Sequence, residues 1–184
     1  GLDRAASGDS ETQWSRLAAR YLRKEFALSK EVKRATVHIA GMGLYELFIN
    51  GQRIGDQVLA PAPTDYRKTI LYNTYDVTPQ LRKENAIGVT LGNGRFYTMR
   101  QNYKPYKIPT FGYPKLRLNL IVEYMDGSKE TIATNTSWKL TTEGAIRSNN
   151  EYDGEEYDAR KELGNWTQSG YDDKSWIAAQ RVSI

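Results

Sequence analysis

The hydrophobic residues of this chain recur mainly at every second position. The clearest example is segment 115–124, KLRLNLIVEY, whose alternate positions hold Leu116, Leu118, Leu120 and Val122. Successive side chains of a strand point to opposite faces of a sheet, so this alternation predicts a half-buried strand. The same alternation, or a short apolar run, predicts further strands at 21–28, 35–40, 44–49, 69–77, 86–91, 129–134 and 137–141.

Turn signals connect several of these strands. Asn50-Gly51 follows segment 44–49 and Asp126-Gly127 follows segment 115–124, and such pairs favour the positive φ angles of tight hairpins. Helix is scarce: one short turn is predicted with Thr78 as its N-cap and Pro79 at its first helical position, and another within 172–179. The pattern predicts an all-β protein, an antiparallel β-sandwich of jelly-roll type with one or two short helical turns.

The length and composition indicate one domain. A chain of 184 residues suits a single core, and we expect a flexible N-terminal tail at 1–13 followed by a β-sandwich at 14–184. No apolar run of 18 residues occurs, so the sequence predicts no transmembrane helix. The first residues also lack the apolar region of a signal peptide.

The sequence is poor in residues for nucleophilic or thiolate chemistry. It contains no cysteine and one histidine, His38, which the alternation places on the polar face of a strand. A catalytic triad needs a histidine beside a nucleophile, and a zinc site needs three or four suitable ligands. We therefore expect neither, and we interpret His38 as an exposed strand residue.

The longest segment without a strand pattern is 92–110. It combines aromatic residues and cations and contains no acid: Phe96, Tyr97, Tyr103, Tyr106, Arg95, Arg100, Lys104 and Lys107. Loops of this length within a compact domain are usually functional or disordered. Its rings could stack on sugars, and contact with another domain is an equally good interpretation. Nucleic-acid binding by stacking and phosphate contacts is disfavoured, because the rest of the sequence shows no basic stripe.

A second unusual segment is 152–160, YDGEEYDAR, which places four carboxylates within six residues: Asp153, Glu155, Glu156 and Asp158. Glycoside hydrolysis commonly uses two carboxylates, one of them with a raised pKa. The polar surroundings, with Arg160 and Lys161 close by, favour a neutralised structural or interface loop instead. A calcium site, built from six to eight oxygen ligands, is the second interpretation, and catalysis is a distant third.

Three stretches in combination resemble one family. They are YELFINGQRIGDQVLAPAPTDYRKTILYNTYDVT at 45–78, NAIGVTLGNGRFY at 85–97 and YDGEEYDAR at 152–160. Over residues 14–180 the chain closely resembles the N-terminal β-sandwich domain of bacterial α-L-rhamnosidases, glycoside hydrolase family 78. In one departure, Arg95-Phe96 stand where that family usually has a tryptophan.

The resemblance implies a galactose-binding-like sandwich with no catalytic residue of its own. It places inverting hydrolysis of terminal α-L-rhamnose in an (α/α)₆ barrel of the same polypeptide. The domain's implied role is to assist recognition of rhamnose-containing glycans. The alternative is a structural domain that packs on and stabilises the barrel without binding sugar, and a free-standing lectin-like domain is a weaker third. No nucleic-acid or membrane partner is expected, and a periplasmic or secreted location in a bacterium is favoured over a cytoplasmic one.

From the loop chemistry and the resemblance together, we expect carbohydrate to be bound by Asp65, Tyr66, Asn93, Arg95, Phe96, Tyr97, Tyr103 and Glu155. Related sandwich modules bind rhamnose through Ca²⁺, so calcium is left open as a cofactor, although no metal-ligand set is assigned. Asp65 and Asn93 are the side chains we would test as its ligands. We expect YDGEEYDAR to fix a loop by salt bridges and main-chain hydrogen bonds at the edge of the sugar site.

Overall fold

The protein, seen here as a computed structural model, is described over residues 17–98 and 111–182. In these residues the chain forms twelve strands, which are β1 Arg20–Ala27, β2 Val32–Met42, β3 Leu44–Ile49, β4 Gln52–Ile54, β5 Asn73–Asp76, β6 Glu84–Gly92, β7 Lys115–Tyr124, β8 Lys129–Ala133, β9 Lys139–Thr141, β10 Ile146–Asn150, β11 Gly154–Tyr157 and β12 Ile177–Ala178. The predicted tail at 1–13 lies outside the described residues.

The strands form two antiparallel sheets and a hairpin. The order of the first sheet is β12-β9-β1-β6-β3-β4, and that of the second is β5-β2-β7-β8. β10 and β11 pair separately as a two-stranded hairpin. The predicted all-β antiparallel sandwich is confirmed, and two short 3₁₀ turns, Thr78–Gln80 and Ala159–Lys161, accompany it in the described residues.

The core lies between the two sheets, where the period of two places the apolar side chains. On β7, Leu118, Leu120 and Val122 are completely buried, whereas Ile121 on the other face is 37% exposed. Apolar residues of the other central strands fill the same layer: Ala35, Val37, Ile39, Leu47, Ile49, Ile87, Val89 and Leu91. On β2, β3 and β7 the alternation seen in the sequence therefore specifies which face of the strand is buried.

The predicted Asn-Gly hairpin connects β3 to β4. Asn50 has a φ of +50° and Gly51 a φ of +81°, as a tight hairpin requires. The Asn50 side chain also donates a hydrogen bond to Asn85 Oδ1 (2.9 Å) and accepts one from the Ala86 main-chain N–H (2.9 Å). This turn is therefore fixed both by its backbone preference and by buried polar contacts.

One detail of the helical predictions is wrong. Thr78 lies inside its 3₁₀ turn rather than before it, and its Oγ1 accepts a hydrogen bond from the Ala35 main-chain N–H (2.9 Å). A second 3₁₀ turn is at Ala159–Lys161, within the acid-rich segment. The turn predicted within 172–179 is also present: the Trp176 main-chain N–H donates to Asp173 O (2.9 Å) just before strand β12. The error is a single residue at the start of a short helical turn, where boundaries are hardest to predict.

Residues 163–176, which we call the strap, cover the outer face of the six-stranded sheet. Trp166, Tyr171 and Trp176 pack there against Tyr21 of β1. Gly88 of β6 permits this close approach, because a Cβ atom there would lie 2.6 Å from the Cγ2 atom of Thr167 in the strap. The strap thus gives the sheet a second buried face.

Candidate functional site

Several of the predicted site residues lie where the chain leaves β6 at one end of the sandwich. Gly94 has a φ of +49°, and a Cβ atom at this position would lie 2.8 Å from Leu44 Cγ. Glycine satisfies both the backbone angle and the close approach. The tight turn at 94–96 therefore begins against Leu44, the first residue of β3.

Asn93 is a buried anchor at this end. Its side chain is 1% exposed, and its Nδ2 donates hydrogen bonds to the main-chain oxygens of Leu17 (3.1 Å) and Asn149 (2.7 Å). Its main-chain N–H donates to Asn149 Oδ1 (2.6 Å). These bonds join three separate segments of the chain. The Oδ1 atom of Asn93 is also buried, and it accepts no hydrogen bond from the described residues.

Arg95 is the exposed charged residue of the turn. Its guanidinium forms an ion pair with the Glu151 carboxylate at 3.2 Å, which links the turn to the tip of the β10–β11 hairpin. Tyr66 lies beside this ion pair, because its ring meets that of Phe96, the residue after Arg95, with centroids 5.2 Å apart. The pKa of the Tyr66 phenol is raised, and burial is the largest cause. The positive charge of Arg95 lowers this pKa and the negative charge of Glu151 raises it. Tyr66, Arg95 and Glu151 therefore form one polar surface, called the Tyr66 surface below.

Aromatic rings support the Tyr66 surface from within. The ring of Tyr66 meets Phe96 and Phe111 edge to face, with centroids 5.2 Å away in each case. Phe96 is buried, and so is Tyr97, whose ring stacks on Tyr113 at 5.7 Å. As placed in the structure, Phe96 and Tyr97 have no exposed face for a sugar ring, whereas Tyr66 is half-buried.

Asp65 has its carboxylate engaged by a neighbouring residue. The Arg67 guanidinium donates to Asp65 Oδ1 (2.9 Å) and Oδ2 (3.2 Å), and this contact lowers the pKa of the Asp65 carboxyl. Among the residues that the structure describes, Asp65 and Asn93 have no hydrogen-bond partner in common. Within residues 17–98 and 111–182, no group of three or more His, Asp or Glu side chains could hold a metal ion. The calcium ligands suggested by the resemblance therefore stay a prediction.

The remaining predicted site residues are Glu155 and Tyr103. Glu155 is exposed on β11 and pairs across the hairpin with Asn149, the residue that binds Asn93. Glu155 thus lies on the strand next to β10, whose Asn149 binds the buried Asn93. Tyr103 lies outside the described residues.

The acid-rich segment 152–160 forms β11 and the second 3₁₀ turn. Asp158 accepts hydrogen bonds from the main-chain N–H of Arg160 (3.1 Å) and from its guanidinium (2.8 Å to each oxygen). The Tyr157 hydroxyl donates to Glu162 Oε1 at 2.6 Å. Salt bridges and main-chain hydrogen bonds do hold this loop, as expected. Its position at the edge of a sugar site stays a prediction.

Sequence reasoning missed Asn149, Glu151 and Phe111 as parts of this end of the molecule. Glu151 directly precedes the acid-rich segment, but its partner Arg95 is 56 residues away in the chain. A single sequence carries no signal for such a pairing. The register of β10 and the path of the turn after β6 bring the two residues together.

A comparison with family models decides the identity. Residues 30–184 match the model described as the α-L-rhamnosidase N-terminal domain, which is more than half of the chain. This chain belongs to the α-L-rhamnosidase N-terminal domain family. The resemblance of its three sequence stretches to that family is thereby confirmed.

Individual relatives agree with this assignment. An α-L-rhamnosidase of Formosa agariphila is 45% identical over 171 residues, covering 90% of this chain and 18% of that protein. The solved α-L-rhamnosidase of Dictyoglomus thermophilum is 48% identical with a TM-score of 0.79, covering 89% of this chain and 18% of that one. The solved α-L-rhamnosidase of Aspergillus terreus is 37% identical with a TM-score of 0.85, and the match covers 96% of this chain and 20% of that one.

The rhamnosidase N-terminal domain spans about a fifth of the length of these relatives. The match is therefore confined to the N-terminal domain of these longer rhamnosidases. In the described residues, no helix is long and apolar enough to cross a membrane.

Proposed function

We propose that this N-terminal domain assists carbohydrate recognition in an α-L-rhamnosidase and that it does so at the Tyr66 surface. The observation that carries the proposal is the ion pair between Arg95 and Glu151 beside the half-buried ring of Tyr66, which packs on the neighbouring Phe96. Hydrolysis of terminal α-L-rhamnose belongs, in this proposal, to a catalytic domain elsewhere in the same polypeptide. The names of the relatives support this substrate class.

The chemistry of the Tyr66 surface suits sugar hydroxyl groups, which both donate and accept hydrogen bonds. Glu151 offers carboxylate acceptors and Arg95 offers a fork of N–H donors, and hydrogen bonds to charged groups are stronger than neutral ones. The face of Tyr66 can contact the apolar C–H groups and methyl group of rhamnose. In this arrangement the buried Phe96 supports Tyr66 and does not contact the ligand.

The alternative is a structural domain that packs on the catalytic barrel without binding sugar. The burial of Phe96 and Tyr97 favours it, because two of the predicted stacking residues are already packed inside the protein. The two functions make opposite predictions for the isolated domain. Recognition requires saturable sugar binding by the 184-residue chain, and the structural role requires none.

The deciding experiment is calorimetric titration of the 184-residue chain with L-rhamnose and with rhamnosyl oligosaccharides. We expect saturable binding in the millimolar range, equivalent to about −4 kcal/mol. Tyr66→Leu and Arg95→Met should each weaken binding at least fivefold (~1 kcal/mol), because each removes one element of the Tyr66 surface. A repeat with Ca²⁺ and then with EDTA tests whether a metal takes part.

The matched control for Arg95→Met is Arg34→Met. Arg34 is also an exposed arginine paired with a glutamate, Glu123, at 3.5 Å, but it lies on β2 outside the Tyr66 surface. The Arg34→Met substitution should leave the dissociation constant for the sugar unchanged. If the folded chain shows no saturable binding with or without Ca²⁺, the recognition proposal is wrong and the structural role is favoured.

A further inference from the structure

A pocket lies at the opposite end of the sandwich from the Tyr66 surface. Its volume is about 360 Å³, and it is lined by residues around the β1–β2 connection and by residues 81–83. β6 begins at Glu84 beside this pocket and ends at Gly92, just before the turn that carries Arg95. A strand of nine residues spans about 27 Å, so the pocket and the Tyr66 surface cannot hold the same sugar residue.

The apolar part of the pocket belongs to the core between the two sheets. Leu28 is buried in that core, and Val32 and Leu81 are partly buried against it. Pockets that bind small molecules are typically lined by apolar side chains with a few polar groups at fixed positions. A protein partner needs a much larger surface, roughly 800 Å² on each side. The pocket therefore suits a small ring.

The charged groups that line the pocket are cations. Among the residues described, they are Lys30, Arg82 and Lys83. The ammonium of Lys30 is already engaged, because it pairs with Asp126 at 2.8 Å and donates to Ser128 Oγ at 2.9 Å. Within 17–98 and 111–182, the side chains of Arg82 and Lys83 form no ion pair. Two positive charges at the pocket therefore lack an anionic partner from this part of the chain.

Hydrogen bonds hold both walls of the pocket in place. The Leu28 main-chain N–H donates to Lys83 O (2.8 Å), which joins the two segments. The Arg82 main-chain N–H donates to Asn85 Oδ1 (2.7 Å), and Asn85 Nδ2 donates back to Arg82 O (2.7 Å). Asn85 is completely buried. The backbone that carries the two cations is therefore fixed before any ligand binds, and such preorganisation lowers the cost of binding.

An anionic group on a small ring matches both parts of the pocket. The Arg82 guanidinium can donate two parallel hydrogen bonds to a carboxylate, and the Lys83 ammonium adds a second positive charge. The C–H groups of the ring can leave water against the apolar lining. A neutral sugar leaves both cations unused, and a simple inorganic anion leaves the apolar lining uncovered.

We propose that this pocket binds an acidic sugar residue, with its carboxylate at Arg82 and Lys83 and its ring against Leu28 and Leu81. The charge of the ligand follows from the cations of the pocket. The choice of a sugar rests on the proposed function, carbohydrate recognition in an α-L-rhamnosidase. The pocket extends that recognition to a second, charged sugar residue at the other end of the domain.

NMR titration of the 184-residue chain with D-glucuronate tests the proposal. D-Glucose serves as the neutral sugar with the same ring, and acetate serves as the carboxylate without a ring. We expect saturable shifts of the amides in 28–32 and 81–85, with a dissociation constant for glucuronate at least fivefold lower than for glucose or acetate. Raising the salt concentration to about 1 M should weaken glucuronate binding, because salt screens exposed charges.

Each alternative outcome of these titrations overturns the proposal. Absence of saturable shifts with glucuronate excludes the ligand. Equal affinity for glucose shows that the two cations do not select for charge. Equal affinity for acetate shows an adventitious anion site only.

Arg82→Gln and Lys83→Gln should each weaken glucuronate binding at least fivefold, because each removes one charge from the pocket. Both side chains are exposed, so the amide spectrum of each variant should show an intact fold. The matched control is Arg117→Gln, at an exposed arginine of β7 that does not line the pocket. This control should leave the dissociation constant for glucuronate unchanged. Equal effects of Arg82→Gln and Arg117→Gln would place the ligand elsewhere and overturn the proposal.

The same spectra separate this proposal from the proposed function. L-Rhamnose should shift amides around Tyr66 and Arg95, whereas glucuronate should shift those around Leu28 and Lys83. Loss of the first response with the second intact contradicts recognition at the Tyr66 surface alone. The reverse result contradicts the acidic-sugar pocket alone.

Discussion

Neighbouring residues after β6 have different environments and different roles. Asn93 is buried and hydrogen-bonded to two other segments, Arg95 is exposed in an ion pair, and Phe96 packs inside. The positive φ of Gly94 turns the chain between them. Residue type therefore identified this stretch as important, but the turn decides which side chain reaches solvent.

A pH prediction belongs to Asp158. The Arg160 guanidinium and main-chain N–H lower the pKa of the Asp158 carboxyl from 3.8 to about 2. Because the pKa is lower in the folded state, the contribution to stability is complete above about pH 4 and is lost as the pH falls through about 2. NMR titration of the carboxyl carbon should show this midpoint.

Arg160→Met should move the Asp158 midpoint up towards 3.8, because it removes the main cause of the shift. Arg67→Met is the matched control. The Arg67 guanidinium donates to the carboxylate of Asp65, two residues earlier, as that of Arg160 donates to Asp158. Arg67→Met should raise the pKa of Asp65 and leave that of Asp158 unchanged. A midpoint near 3.8 in the unaltered chain would contradict the assigned contact.

Among the elements, the strap shows how a segment without much regular structure is held in place. Arg23 of β1 is buried beneath it and donates hydrogen bonds to the Asp173 carboxylate, to Glu25 Oε1 (2.5 Å) and to the main-chain oxygens of Trp166 (2.9 Å) and Gln168 (2.9 Å). Three of these acceptors belong to the strap. One buried guanidinium therefore connects the strap to the sheet.

Arg23→Met should destabilise the domain by about 2–4 kcal/mol. Removing one partner of a buried ion pair costs about 3–5 kcal/mol, and the partial exposure of Asp173 and Glu25 reduces that cost. Urea unfolding measures the loss, and hydrogen exchange should show it first in residues 163–176. Arg34→Met, at an exposed pair, should cost less than about 0.5 kcal/mol. Equal effects of the two changes would contradict the anchoring role of Arg23.

In the molecule as a whole, stability depends on the layer between the two sheets. Leu120 is completely buried in this layer, and its neighbour Ile121 faces outward on the same strand. Leu120→Ala should lower the free energy of unfolding by about 2–5 kcal/mol, because it removes buried apolar surface and leaves a cavity.

Ile121→Ala is the control on the opposite face and should cost less than about 1 kcal/mol. Both are measured by urea unfolding with tryptophan fluorescence, with the slope of free energy against urea unchanged. If Ile121→Ala cost as much as Leu120→Ala, the assignment of the buried face of β7 would be wrong.

Local sequence patterns were sufficient for most strands of the two sheets, but they did not predict β10, β11 or β12. The period of two in segment 115–124 predicts β7 and its buried face, and Asn50-Gly51 predicts the hairpin between β3 and β4. Such features depend on side chains a few residues apart, so their physical causes are contained in short segments. The family resemblance was likewise readable from contiguous motifs.

The site and the surfaces were decided by tertiary structure. Arg95 meets Glu151, Asn93 meets Leu17, and Arg23 meets Asp173 across 56, 76 and 150 residues of chain. No local pattern specifies these pairs, because they depend on sheet order and on where each loop crosses the end or side of the sandwich. The burial of Phe96 and the meeting of Leu28 with Lys83 at the pocket have the same cause. Sequence sets what each residue can do, and packing decides which of them face solvent.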